Sequence, residues 1–177
     1  GGLGNIVGQH LEGVQVGGLI NANLGRGKGL QIGGLMNYQG DTLTGVQIGG
    51  LCNYLDGKMQ GVQVGGLANV VTGQADGWQV AGLVNIACKD LDQVQLAGLV
   101  NYGRHLSGVQ IAGLAGIATG DVTGIQISGF FNYARVVRGI QIGAFNVARS
   151  VEKGIPVGFY SYVHQGGLHD FGLYADE

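Results

Sequence analysis

The sequence predicts an all-β fold, a β-solenoid (β-helix) of about eleven stacked coils that ends in a C-terminal cap. Three observations carry this. Glutamine returns at Gln15, Gln31, Gln47, Gln63, Gln79, Gln95, Gln110, Gln126 and Gln141, each 15 or 16 residues after the last. One phrase surrounds it, clearest as Gly45-Val46-Gln47-Ile48-Gly49-Gly50-Leu51-Cys52-Asn53-Tyr54. Apolar residues alternate about the glutamine and glycines interrupt every repeat, a pattern of strands and not of helices. The repeat array is assigned to 1–158 and the cap to 159–177.

Within a coil each column has its own chemistry. The glutamine is flanked by β-branched or bulky residues, such as Val14/Val16, Leu30/Ile32 and Trp78/Val80. A small residue, usually a second glycine, and a Leu or Phe follow (Leu35, Leu67, Leu99, Phe130). The next column is asparagine: Asn21, Asn37, Asn53, Asn69, Asn85, Asn101 and Asn132. Turn formers such as Gly40-Asp41 and Asp56-Gly57 come next, and then an apolar column of Leu43, Met59, Ala75, Leu91, Leu106, Val122 and Val137. A bend at the Gly-Gly pair divides the coil into three sides.

Stacking explains why the columns are pure. In a parallel stack each residue lies over its equivalent, so Gln meets Gln and Asn meets Asn. Each amide carries donors and an acceptor and bonds along the stack, which makes a buried amide tolerable. These two columns are therefore the expected structural ladders, and the Leu/Phe column is expected to form a continuous core stripe. Tyr38, Tyr54, Tyr102 and Tyr133 share a further column. Facing outward it would be a binding stripe for glycans or partner proteins, and facing inward it would be core.

Pro156 takes the glutamine place in Gly154-Ile155-Pro156-Val157-Gly158, and the repeat loses one residue near Ala144. Proline cannot donate to a ladder, which suits a last coil. Two other departures are Gly116 in the asparagine column and Gln93 where glycine is expected.

Composition narrows the function. The 177 residues include 38 Gly and 1 Pro, with 45% hydrophobic and 11% charged residues and a net charge of −2. A chain this apolar is not disordered, and near-neutral charge gives no footprint for nucleic acid; the longest basic cluster is Arg26-Gly27-Lys28. No apolar run is long enough for a transmembrane helix. Gly1-Gly2-Leu3-Gly4-Asn5 already matches the middle of a repeat. A segment carrying targeting information, and through it membrane association, is therefore expected to precede it.

The competing architecture is an antiparallel membrane β-barrel, channel-like in function, with Val46, Ile48, Gly50, Cys52 and Tyr54 facing lipid and Gln47, Gly49, Leu51 and Asn53 facing the lumen. Uniform connection lengths and pure columns argue against it. No catalytic residue, cofactor or metal is expected. Gly25-Arg26-Gly27-Lys28-Gly29 lacks the rest of a phosphate loop, His164, His169 and Asp170 make a weak metal set, and Cys52 and Cys88 read as small buried hydrophobes.

The phrase Gly-Val-Gln-Ile-Gly-Gly-Leu-x-Asn, with Gly154-Ile155-Pro156-Val157-Gly158-Phe159 at its end, resembles the Gly-hydrophobic-Gln-hydrophobic-Gly surface-repeat proteins of bacteria over roughly residues 1–163. The resemblance implies a cell-surface or outer-membrane-associated protein without catalysis. The expected function is a rigid spacer or adhesion module whose partners are a surface protein or glycan, with end-to-end self-association between copies.

Overall fold

A computed structural model describes residues 2–165. It is all-β, a parallel β-solenoid of about ten turns. The central turns each contribute a longer strand and a four-residue one, as in Leu43–Gly49 and Cys52–Leu55, or Met59–Gly65 and Ala68–Val71, whereas from Ala115 the strand Ala115–Ser128 runs on through a corner. Every pairing is parallel and joins equivalent residues of neighbouring coils. Gln47 lies between Gln31 and Gln63, and Asn53 between Asn37 and Asn69. Parallel pairing between coils overturns the barrel, which requires antiparallel neighbours. At about 4.8 Å per coil the stack is a rod on the order of 50 Å long.

Each coil is three-sided. In Leu43–Gly49, Leu43, Gln47 and Gly49 are buried, and the alternation breaks at Gly45, whose φ is 142°. This turns the longer strand through the first corner. Gly50 and Leu51 make the second corner, and Asn53 and Leu55 then point inward from the next side. The Asp56-Gly57-Lys58 turn closes the coil, with the Leu43 N–H donating to the Lys58 carbonyl 2.9 Å away.

The interior has two halves. One is aliphatic, formed by Leu43, Met59, Ala75, Leu91, Leu106, Val122 and Val137 facing Leu55, Val71, Ala87, Ala118, Ala134 and Ala148. The other holds the glutamine and asparagine columns. The Leu/Phe column expected to form the core stripe is instead outside. Leu51 is 42% exposed and Phe130 51%. Its place after the Gly-Gly corner turns it outward, and the inward positions flanking that corner belong to the small residue and to asparagine. The cysteines depart from expectation too: Cys52 is half-buried in an outward column and Cys88 is exposed in a turn, both free.

Tyr160–Gln165 pairs in parallel with Phe145–Val151, so the chain still follows the coil there. The remainder of the cap segment, 166–177, lies outside the described residues, and with it His169 and Asp170.

Candidate functional site

The buried amides form two ladders of opposite polarity. Each glutamine donates toward the preceding coil: Gln47 Nε2 to Gln31 Oε1 at 2.6 Å, Gln63 to Gln47 at 2.8 Å, Gln79 to Gln63 at 3.1 Å and Gln95 to Gln79 at 2.7 Å. Gln15, Gln31, Gln110, Gln126 and Gln141 belong to the same file. Each asparagine donates toward the following coil: Asn37 Nδ2 to Asn53 Oδ1 at 2.8 Å, Asn53 to Asn69 at 2.8 Å and Asn85 to Asn101 at 3.0 Å. Aligned side-chain dipoles add along a file, and two files of opposite sense offset one another.

The second amide hydrogen of asparagine also has a partner. Asn53 Nδ2 donates to the Val64 carbonyl of the next coil at 2.8 Å, and Asn37 does the same to Ile48. These bonds tie the side with the asparagine to the glutamine-bearing strand across the Gly-Gly corner. Asn5 and Asn146 extend the file at its two ends; the deletion near Ala144 hid the register of Asn146.

Three of the buried polar atoms without partners mark breaks or ends of a ladder among the described residues. Gln15 Nε2 has no acceptor at the first rung. Gln141 Oε1 has no donor because its neighbour in register is Pro156. Asn132 Oδ1 has none because its neighbour is Gly116.

The first coils replace the aliphatic half with further amides, which the repeated columns did not reveal. Asn23 and Gln39 occupy the place of Leu55, and Gly27 that of Leu43. Asn23 Nδ2 donates to Gln39 Oε1 at 2.9 Å, and Gln39 Nε2 donates to the Gly25 carbonyl. Gln39 also fills the room over Gly27, whose added Cβ would meet Gln39 Oε1 at 2.5 Å. The clue was composition: a glycine in one inward column coincides with a large residue in the other.

The tyrosine column faces outward and is half-buried. Tyr38 and Tyr54 stack with ring centroids 5.7 Å apart and planes 4° from parallel. Val70 and Ile86 separate them from Tyr102, and Ile117 separates Tyr102 from Tyr133. The stripe is thus a mixed apolar row with one stacked tyrosine pair.

Charged groups gather on the third side. Lys28 lies 3.0 Å from Glu12 and Arg26 lies 3.6 Å from Asp41, beside an open groove that also exposes His10. The Lys28 hydrogen bond and charge hold the Glu12 pKa below its ordinary value. Arg26–Gly33 is a strand, so the Gly25–Gly29 segment leads into no helix and has no phosphate-loop geometry. Toward the other end Asp121 bridges Arg135 and Arg138 at 2.8 Å each, and Arg138 reaches Glu152 at 2.7 Å. Among the described residues no three His, Cys, Asp or Glu side chains converge as metal ligands.

Family models, curated proteins and solved structures were all compared with the chain, and none matches it.

Proposed function

We propose that this protein is a non-enzymatic module of the bacterial cell surface, a rigid solenoid that acts as a spacer and presents its outer wall for binding. The observation that carries this reading is the pair of amide ladders. The glutamine and asparagine amides inside the rod bond mainly to their own kind in neighbouring coils or to backbone carbonyls, which is an investment in stiffness. Repeats that bond only to their neighbours make extended, quasi-one-dimensional objects with long lateral surfaces. The surface location rests on the repeat phrase and its resemblance to surface-repeat proteins.

Two measurements test it. Small-angle scattering of the purified chain is expected to give an elongated particle on the order of 50 Å long. Antibodies raised against it are expected to label intact cells of its source. Labelling that requires permeabilised cells would remove the surface role.

A further inference from the structure

The polarity of this rod is reversed on two of its three sides. Amides lie inside, whereas the outward positions of both strands are apolar. The outward residues about the glutamine are Val46 and Ile48, Val62 and Val64, Trp78 and Val80, Ile125 and Ile127. Beyond the Gly-Gly corner the outward residues are Cys52 and Tyr54, Ala68 and Val70, Val84 and Ile86, Phe131 and Tyr133. Leu19, Leu35, Leu51, Leu67, Leu83, Leu99, Leu114 and Phe130 crown the corner between the two sides, 40% to 51% exposed.

Charge is segregated just as sharply. From the position two before each ladder glutamine to the position two after the asparagine column, no coil contains Asp, Glu, Lys or Arg. The charged residues, from Glu12 to Lys153, all fall on the third side and its turns. The apolar sides together cover on the order of 1,000 Å², taking four residues per side and eight coils at strand spacings. The largest apolar patch of an ordinary monomer is about 300–600 Å².

We propose that this wedge docks on a phospholipid bilayer, with the solenoid axis in the membrane plane, the Leu/Phe ridge deepest and the charged third side in water. Three features favour lipid over a second copy. The apolar surface is convex, two sides meeting at a ridge, so a rigid flat partner covers one side and leaves the other wet, while fluid acyl chains cover both. The outer margins of the wedge carry Trp78 on one side and the tyrosine column on the other, the amphipathic rings that settle at a membrane interface. The strand N–H and C=O groups bond along the axis between coils, so immersion of either side leaves no strand backbone group unpaired. The depth matches that of interfacial helices, about 5–10 Å. This docking does not depend on the surface role proposed above, and scattering in solution tests the rod separately.

The test uses the whole chain and phosphatidylcholine vesicles, with and without added phosphatidylglycerol. The protein is expected to float with both kinds of vesicle, and Trp78, the single tryptophan, is expected to shift its emission to the blue. The two native thiols report orientation without any substitution. On vesicles Cys52, on the wedge, loses reactivity toward a water-soluble maleimide, and Cys88, exposed in the turn that opens the third side, keeps it. The triple variant Leu51→Asp, Leu67→Asp, Leu83→Asp is expected to keep its circular dichroism and lose flotation. Three results would overturn the proposal: no flotation of the parent chain, flotation only on anionic vesicles and reversed by salt, or a vesicle-free dimer that the triple variant splits. The last would identify a second copy as the occupant.

Discussion

Gly116 lies in register with Asn132, and Asn132 Oδ1 is a buried oxygen without a donor. The asparagine file arrives from Asn85 to Asn101 and resumes from Asn132 to Asn146, so Gly116 is a single missing rung. Gly116→Asn is expected to accept from Asn101, donate to Asn132 and raise stability by about 1–2 kcal/mol. The new Cβ would lie 2.9 Å from Asn132 Oδ1, 3.0 Å from Gln126 Cγ and 3.1 Å from Gln110 Oε1, so the gain requires these three buried side chains to shift by tenths of an ångström. Gly116→Ala brings the same crowding without the amide and is expected to be neutral or destabilising. Urea melts of both variants check the difference, and equal effects would mean the rung is not what is missing.

Removing a rung is the converse. Gln79 donates to Gln63 and accepts from Gln95, so Gln79→Leu leaves an oxygen on one side and an amide hydrogen on the other without that partner. Each buried unpaired group costs about 1–3 kcal/mol, so a loss of roughly 2–6 kcal/mol is expected. Leu67→Ala on the ridge, 44% exposed, is expected to change stability by no more than about 0.5 kcal/mol. A larger loss from Leu67 than from Gln79 would contradict an amide interior with an apolar exterior.

That inversion separates what the sequence made legible from what it hid. Parallel stacking followed from Gln47 and Asn53 recurring in pure columns, because only equivalents in register make such purity useful. The inward role of Leu43 and Met59 could likewise be read from spacing. The side taken by Leu51 could not. Hydrophobicity argues for burial, and the decision rests with corner geometry, which turns the residue after Gly-Gly away from the axis. Asn23 and Gln39 were hidden for a related reason: they occupy an aliphatic column, and it is the folded coil that places Gln39 over the space that Gly27 leaves.

Gln93 marks a second local conflict. It holds φ at 99°, in a column whose neighbours Gly77 and Gly108 have φ of 139° and 143°. A side chain in this region costs about 1–2 kcal/mol against glycine. Gln93 Nε2 recovers part of that through a 3.0 Å bond to Asp76 Oδ1, at an exposed site where such bonds contribute little. Gln93→Gly is therefore expected to raise stability by about 1 kcal/mol. The reverse change, Gly77→Gln, drives a Cβ into the Gly61 carbonyl oxygen and is expected to be far more costly than Gln93→Gly is helpful. Thermal melts of the two variants test this. A destabilised Gln93→Gly would assign the Asp76 contact more weight than the backbone.

The third side predicts an acid dependence. Burial pushes the Asp121 pKa upward, but the Arg138 hydrogen bond and the charges of Arg135 and Arg138 outweigh it, so the folded value lies below the ordinary one. A depressed carboxyl pKa contributes stability that is fully present above the unfolded value, about 3.9, and is lost as pH falls through the folded value beneath it. Asp121→Asn is thus expected to lower the melting temperature at neutral pH. Its deficit against the parent should shrink once the pH drops below about 4. Because the Arg135 and Arg138 side chains are 49% and 38% exposed, the deficit is small and salt reduces it further. Melting both proteins across the acid range checks the sign. A deficit of constant size down to full protonation would trace the effect to packing at the Thr119-Gly120-Asp121 irregularity of strand Ala115–Ser128 and not to the carboxylate charge.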